Sequence, residues 1–303
     1  MINLIRGDIR RMAKGKPFII CLFAVFCLSA WDVFDAMLQR AVYDQMEVER
    51  PPSLFYNSFS NLMKVSIVIG LCTVFLIGLD FDGGNVKNKI LAGYSKLKIY
   101  ISNLIVSFLF GLILLALHYL VVFLWYGFGF GWSYIGAVFG DEWCLRLIIL
   151  AMIQGIFVVF YMAALTCMIM MIFEKKLIGI ILFAAVFTVG LYFGGDANAL
   201  SRAVNEKIMI REFYPDGTEE TIIDKNPYYL PDDDPAKIRS LIIDHIDAPY
   251  RSVVPLVVQT GSSLFDREHP EILYYGGYLL GESIMVVFYA GLGYIVFKNR
   301  NLK

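Results

Sequence analysis

Six long apolar runs constrain this chain more than any other feature. They are Pro17–Leu38, Asn61–Leu79, Ile99–Tyr126, Trp143–Phe173, Leu177–Gly194 and Tyr274–Phe297. Crossing a bilayer core takes about 20 mostly apolar residues as a helix, so each run is a candidate span. A soluble fold with six such helices buried would have too little polar surface to cover them. Of the 303 residues, 58% are hydrophobic and 17% are charged, where a globular domain has about 25% charged. A net charge of −1 gives no case for nucleic acid as a partner, and none is expected. The expected fold is therefore an all-α polytopic membrane protein with six transmembrane helices.

Orientation follows from lysine and arginine. Arg6, Arg10, Arg11, Lys14 and Lys16 precede the first run, and Lys87, Lys89, Lys96 and Lys98 lie between the second and third. Lys175 and Lys176 follow the fourth run, and Lys298, Arg300 and Lys303 follow the sixth. The short loops on the other side hold Arg40 and Arg50. Both termini are thus expected in the cytoplasm and Gly195–Leu273 outside. The first run reads as an uncleaved span, because a long basic region precedes it and "CLSAW" lacks a small-residue cleavage site. The five cysteines, Cys21, Cys27, Cys72, Cys144 and Cys167, lie in or beside the runs and read as small hydrophobes.

Three organisational blocks result: 1–194 with an N-terminal amphipathic helix and five spans, 195–273 as an external segment, and 274–303 as the sixth span and basic tail. In residues 1–16, Ile2, Ile5, Ile9 and Met12 recur at helical spacing and predict an apolar stripe lying on the inner membrane surface among arginines. The external segment carries fifteen acidic and eight basic residues. Ile208–Asp224 predicts a hairpin turning at Pro215-Asp216-Gly217, and Asp234-Pro235 predicts the start of a helix, so this segment is expected to be a small α+β unit. Asp232-Asp233-Asp234 reads as a solvated cap rather than a cation site, and "GFGFG" at Gly127–Gly131 as a flexible turn.

Catalytic signatures are missing. No phosphate-cradling G-x-x-x-x-G-K-[ST] occurs, no H-E-x-x-H, and no metal-ligand spacing among Cys or His. The chain itself is not expected to be an enzyme, to bind a metal or to hold a cofactor. Ionisable residues within spans draw attention instead. Glu282 and Lys64 fall in the outer halves of their runs, with Lys64 a possible partner for Glu282, and His118 lies inside the third. Pairing between helices is the favoured reading of these three, and a substrate path lined by Glu282 the sharper one.

The stretch "FDGGNVKNKILAGYSKLKIYISNLI" (Phe81–Ile105) predicts a short helix within about 83–95, between Gly83-Gly84 and Gly93, presenting Val86, Ile90 and Leu91 among Lys87 and Lys89. A free loop has no use for that apolar patch. This stretch resembles the cytoplasmic coupling helix of type-2 ABC transporter permeases. "NPYYLPDDDPAKIRSLIIDHIDAPYRS" resembles the external region of such permeases from Gram-positive bacteria, and "GYIVFKNRNLK" their C-terminal end. "DAPYR" stands where a Pro-Thr-Gly type sequence is common. The resemblance implies the membrane half of an ATP-driven exporter of a peptide, antibiotic, lipid or glycan in a bacterial plasma membrane. It also implies a separate ATPase subunit carrying ATP and Mg, a second permease copy or paralogue, and docking of Val86, Lys87, Lys89, Ile90 and Leu91 on the ATPase. The alternative is a membrane sensor or immunity protein that binds an external antimicrobial without moving it.

Overall fold

The computed structural model describes residues 1–45, 55, 58–59, 61–201, 207–213, 219–225 and 272–300. Among them are nine helices: α1 (Ile2–Ala13), α2 (Lys16–Gln45), α3 (Leu62–Asp82), α4 (Asn85–Leu91), α5 (Lys96–Phe130), α6 (Trp132–Gly140), α7 (Glu142–Phe173), α8 (Lys176–Ser201) and α9 (Ile272–Asn299). Two strands, β1 (Lys207–Phe213) and β2 (Glu219–Lys225), pair antiparallel with Phe213 opposite Glu219. The residues form two compact units, Met1–Val186 with Glu282–Lys303, and Phe187–Gly281.

Four helical segments are long and apolar enough to cross a membrane: Lys16–Leu38, Leu62–Asp82, Lys96–Phe130 and Cys144–Phe173. The chain therefore reads as membrane-embedded. Among the described residues, the fifth and sixth expected spans are represented by the shorter apolar helical stretches Lys176–Thr188 and Ser283–Asn299 of α8 and α9. The expected α+β segment is likewise described only as the β1–β2 ribbon. The helix predicted from Asp234 lies outside the described residues.

The outward faces are as apolar as the interior. On α2, Ile19, Ile20, Phe23, Phe26, Trp31, Phe34 and Leu38 are exposed, as a helix flanked by hydrocarbon requires. Lipid is as apolar as leucine, so burial alone gives little drive for helices to associate, and close packing around small residues must do it. Gly111 on α5 illustrates this. A Cβ added there would lie 2.6 Å from Val159 Cγ1 on α7 and 3.2 Å from Ile69 Cγ2 on α3. Both neighbours are stiff β-branched side chains. Gly111→Ala is expected to lower stability by about 1–3 kcal/mol through overpacking. Gly7→Ala, where nothing lies within 4 Å, is expected to be neutral or stabilising. Thermal unfolding in detergent, followed by gel filtration, compares the two.

At one end of the bundle the helix termini carry the basic residues. We call it the basic end. There Lys96, the first residue of α5, donates to the main-chain carbonyls of Lys298 (2.9 Å) and Arg300 (2.5 Å) at the close of α9. Arg300 in turn donates to the carbonyls of Met171 and Ile172 at the end of α7 and pairs with Glu174 at 3.1 Å. Lys176 pairs with Asp82 at 2.8 Å, joining the start of α8 to the end of α3. Helix C-termini expose carbonyls without intrahelical partners, and these cations satisfy some of them.

The opposite end is aromatic. Phe55 and Phe59, from the connection between α2 and α3, pack on Tyr126 and Tyr119 of α5. Tyr126 is fully buried and stacks on Phe130. The expected flexible turn at Gly127–Gly131 is mostly helix. α5 runs through Phe130, and only Gly131, with φ +96°, breaks it. Gly127 within it has room only for glycine, because the Trp132 ring occupies the space a Cβ would fill.

Candidate functional site

The stretch between α3 and α5 folds as the sequence implies, but it faces differently. Gly84 has φ +67° and caps α4. Gly93 has φ +84°, and the amides of Gly93 and Tyr94 return to the carbonyls of Ile90 and Lys89. That is a Schellman ending, with Gly at the left-handed position. Ser95 then caps α5, accepting from the Lys98 amide.

Two expected docking residues turn inward. Val86 is 1% exposed, and the Lys89 side chain is 10% exposed. They sit three residues apart and so share one helix face. Val86 and Lys89 are therefore anchors to this chain itself, which corrects the expectation that both serve a partner. Ile90 is half-buried. Lys87 is exposed, and Leu91 is 84% exposed.

Lys89 reaches two buried carboxylates. Its Nζ lies 2.9 Å from Asp8 Oδ1 and 2.8 Å from Asp80 Oδ2. Arg11 pairs with Asp8 at 3.0 Å and also contacts Asp80. Ser102 Oγ donates to Asp8 Oδ2 at 2.8 Å. Asp8 and Asp80 are 3% and 1% exposed. Buried carboxylates are tolerated only when paired and hydrogen-bonded, and here two anions meet two cations. The cluster ties α1, α3, α4 and α5 together at the basic end.

Helix α1 is oriented by this cluster. Its buried stripe is Leu4, Asp8 and Met12, while Ile2 is 80% exposed. Of the stripe expected on the membrane surface, Ile2 is exposed and Ile5 and Ile9 are half-buried, while Met12 faces the chain beside Leu4 and Asp8. A signal existed in the sequence. Asp8 is the sole acid in the first 31 residues, set among five basic ones.

A second polar cluster lies toward the opposite end. Lys64 on α3 pairs with Asp32 on α2, and Asn61 donates to the same Asp32 Oδ1 at 3.3 Å. Lys64, read from the sequence as a possible partner for Glu282, pairs here with Asp32. Glu282 lies in α9, and its side chain is outside the described residues. His118 Nε2 donates to the Phe59 carbonyl at 3.3 Å, which leaves Nδ1 to accept from Ser29 Oγ at 2.8 Å. Ser29 and Asp32 are one turn apart on α2, so Lys64 and His118 dock on the same helix. Lys64→Met is expected to destabilise by about 1–3 kcal/mol, since Asp32, 7% exposed, keeps only Asn61. Asp32→Asn in the same chain should restore most of that, as read by thermal unfolding.

No family model, curated protein or solved structure matches the chain. The likeness to type-2 ABC permeases therefore rests on its sequence motifs and their order. Among the described residues no group of three or more His, Cys, Asp or Glu is placed to hold a metal ion.

Proposed function

We propose that the chain is the membrane-spanning subunit of an ATP-driven transporter, with ATP bound by a separate ATPase subunit. On this reading α8 and α9 complete six spans, the basic end is cytoplasmic, and a second permease copy or paralogue completes the path in a bacterial plasma membrane. The observation that carries it is the way α4 is mounted. It is pinned from beneath by Lys89 to Asp8 and Asp80, yet it displays Leu91 at 84% exposure beside Lys87. A leucine held that far into water on a rigid two-turn helix supports docking against a protein. A push on α4 would pass directly to α1, α3 and α5 through the ionic cluster. This narrows the docking surface to Lys87 and Leu91, with Ile90 at its edge.

The test is affinity purification of the chain from its native membranes in mild detergent. Co-purification of a P-loop ATPase, with ATP hydrolysis that substrate stimulates, is expected. Purification without any ATPase would overturn the transporter reading and return the chain to the sensor class.

A further inference from the structure

Asn103 and Ser107 lie one turn apart on α5, 0% and 1% exposed. Among the described residues nothing forms a hydrogen bond with Asn103 Nδ2, Asn103 Oδ1 or Ser107 Oγ. Most buried polar atoms find partners, so three orphaned atoms on one stripe need an explanation.

Their surroundings follow from helix register. One turn further along the same stripe, Gly111 is pressed between Ile69 of α3 and Val159 of α7. Both of those helices run antiparallel to α5. A step of one turn toward the basic end therefore brings Ser107 level with Thr73 and Ala163. A second step brings Asn103 level with Ile77 and Cys167. One turn nearer the basic end, the Tyr100 hydroxyl neighbours the Cys167 thiol, so α5 and α7 stay in contact there. On α7 near that level, Ala163 and Thr166 are fully buried. Thr73 Oγ1 donates to the Ile69 carbonyl at 3.1 Å, and Thr166 Oγ1 to the Met162 carbonyl at 2.5 Å. Each hydroxyl thereby keeps lone pairs free to accept.

We propose that the α3–α5–α7 seam at Asn103 and Ser107 binds internal water. The orphaned atoms include donors and acceptors, and water is the compact ligand that offers both. A second protein chain cannot reach residues with no exposed surface. A metal cation would need a free carboxylate, and the neighbouring Asp8 and Asp80 at the basic end are already paired with Arg11 and Lys89. Water bridging Asn103 and Ser107 to Thr73 and Thr166 makes this a seam held by exchangeable bonds, between tight contacts at Gly111 and Tyr100.

X-ray hydroxyl-radical footprinting of the full chain in nanodiscs tests this, since radiolysis of bound water oxidises side chains beside it. Cys167 is expected to be oxidised several-fold faster than Cys21, a buried thiol on α2, which is not one of the three seam helices. Asn103→Leu and the milder Ser107→Ala should each bring Cys167 down to the Cys21 rate. Asn103→Leu should also lower the unfolding temperature, because it removes bonds to water. Equal oxidation of Cys167 and Cys21 in the wild type, or a higher unfolding temperature for Asn103→Leu, would mean a dry seam and overturn the proposal.

Discussion

Lys89→Met should cost the protein about 3–5 kcal/mol, the usual penalty for removing one partner of a buried ion pair. It leaves Asp8 and Asp80, both nearly inaccessible, sharing the guanidinium of Arg11. The side chain being lost is itself only 10% exposed, so water cannot take its place cheaply. The effect should be specific to charge balance. Lys89→Met combined with Asp80→Asn again leaves one anion against one cation, and should recover much of the loss. Lys87→Met, on the exposed side of the same helix, should change little. Thermal unfolding of these proteins and of Asp80→Asn alone in one detergent completes the cycle. If Lys89→Met is as stable as the wild type, the cluster does not hold the helices together.

Leu91→Asp should do the reverse, leaving the fold intact and removing the partner. At 84% exposure Leu91 contributes almost nothing to the chain's own packing, so insertion and unfolding temperature should stay at wild-type values. Burying a leucine against a partner is worth about 1.5–3 kcal/mol, and aspartate adds a desolvation cost to that loss. The ATPase recovered per permease should fall at least tenfold, and substrate-stimulated hydrolysis with it. Lys87→Ala should weaken association less, and its effect should fade at high salt. Full ATPase recovery with Leu91→Asp would remove α4 as the docking element. Because Lys89→Met acts on stability and Leu91→Asp on association, failure of one does not imply failure of the other.

The short helix shows how much was legible beforehand. Its approximate extent and its glycine ending were readable, because they depend on backbone preferences within a few residues. Its facing was not. Val86 and Lys89 turn inward because of Asp8 and Asp80, and Asp8 is 81 residues from Lys89. The polar residues in the spans repeat the lesson. Lys64 and His118 stood out as costly in hydrocarbon, but their partners Asp32 and Ser29 are ordinary residues of α2.

What the sequence by itself determined is the set of apolar helices, their approximate ends and the gathering of cations at one end of the bundle. These follow from local terms: runs of apolar side chains, glycine at positive φ, and charge at helix termini. Only the tertiary structure decided which face of α1 is buried, which carboxylates Lys89 and Lys64 meet, and which of the short helix's apolar residues remains outside. In a bundle apolar on every side, periodicity does not distinguish a lipid-facing stripe from a packed one. The choice falls to ion pairs and close glycine contacts between helices distant in sequence.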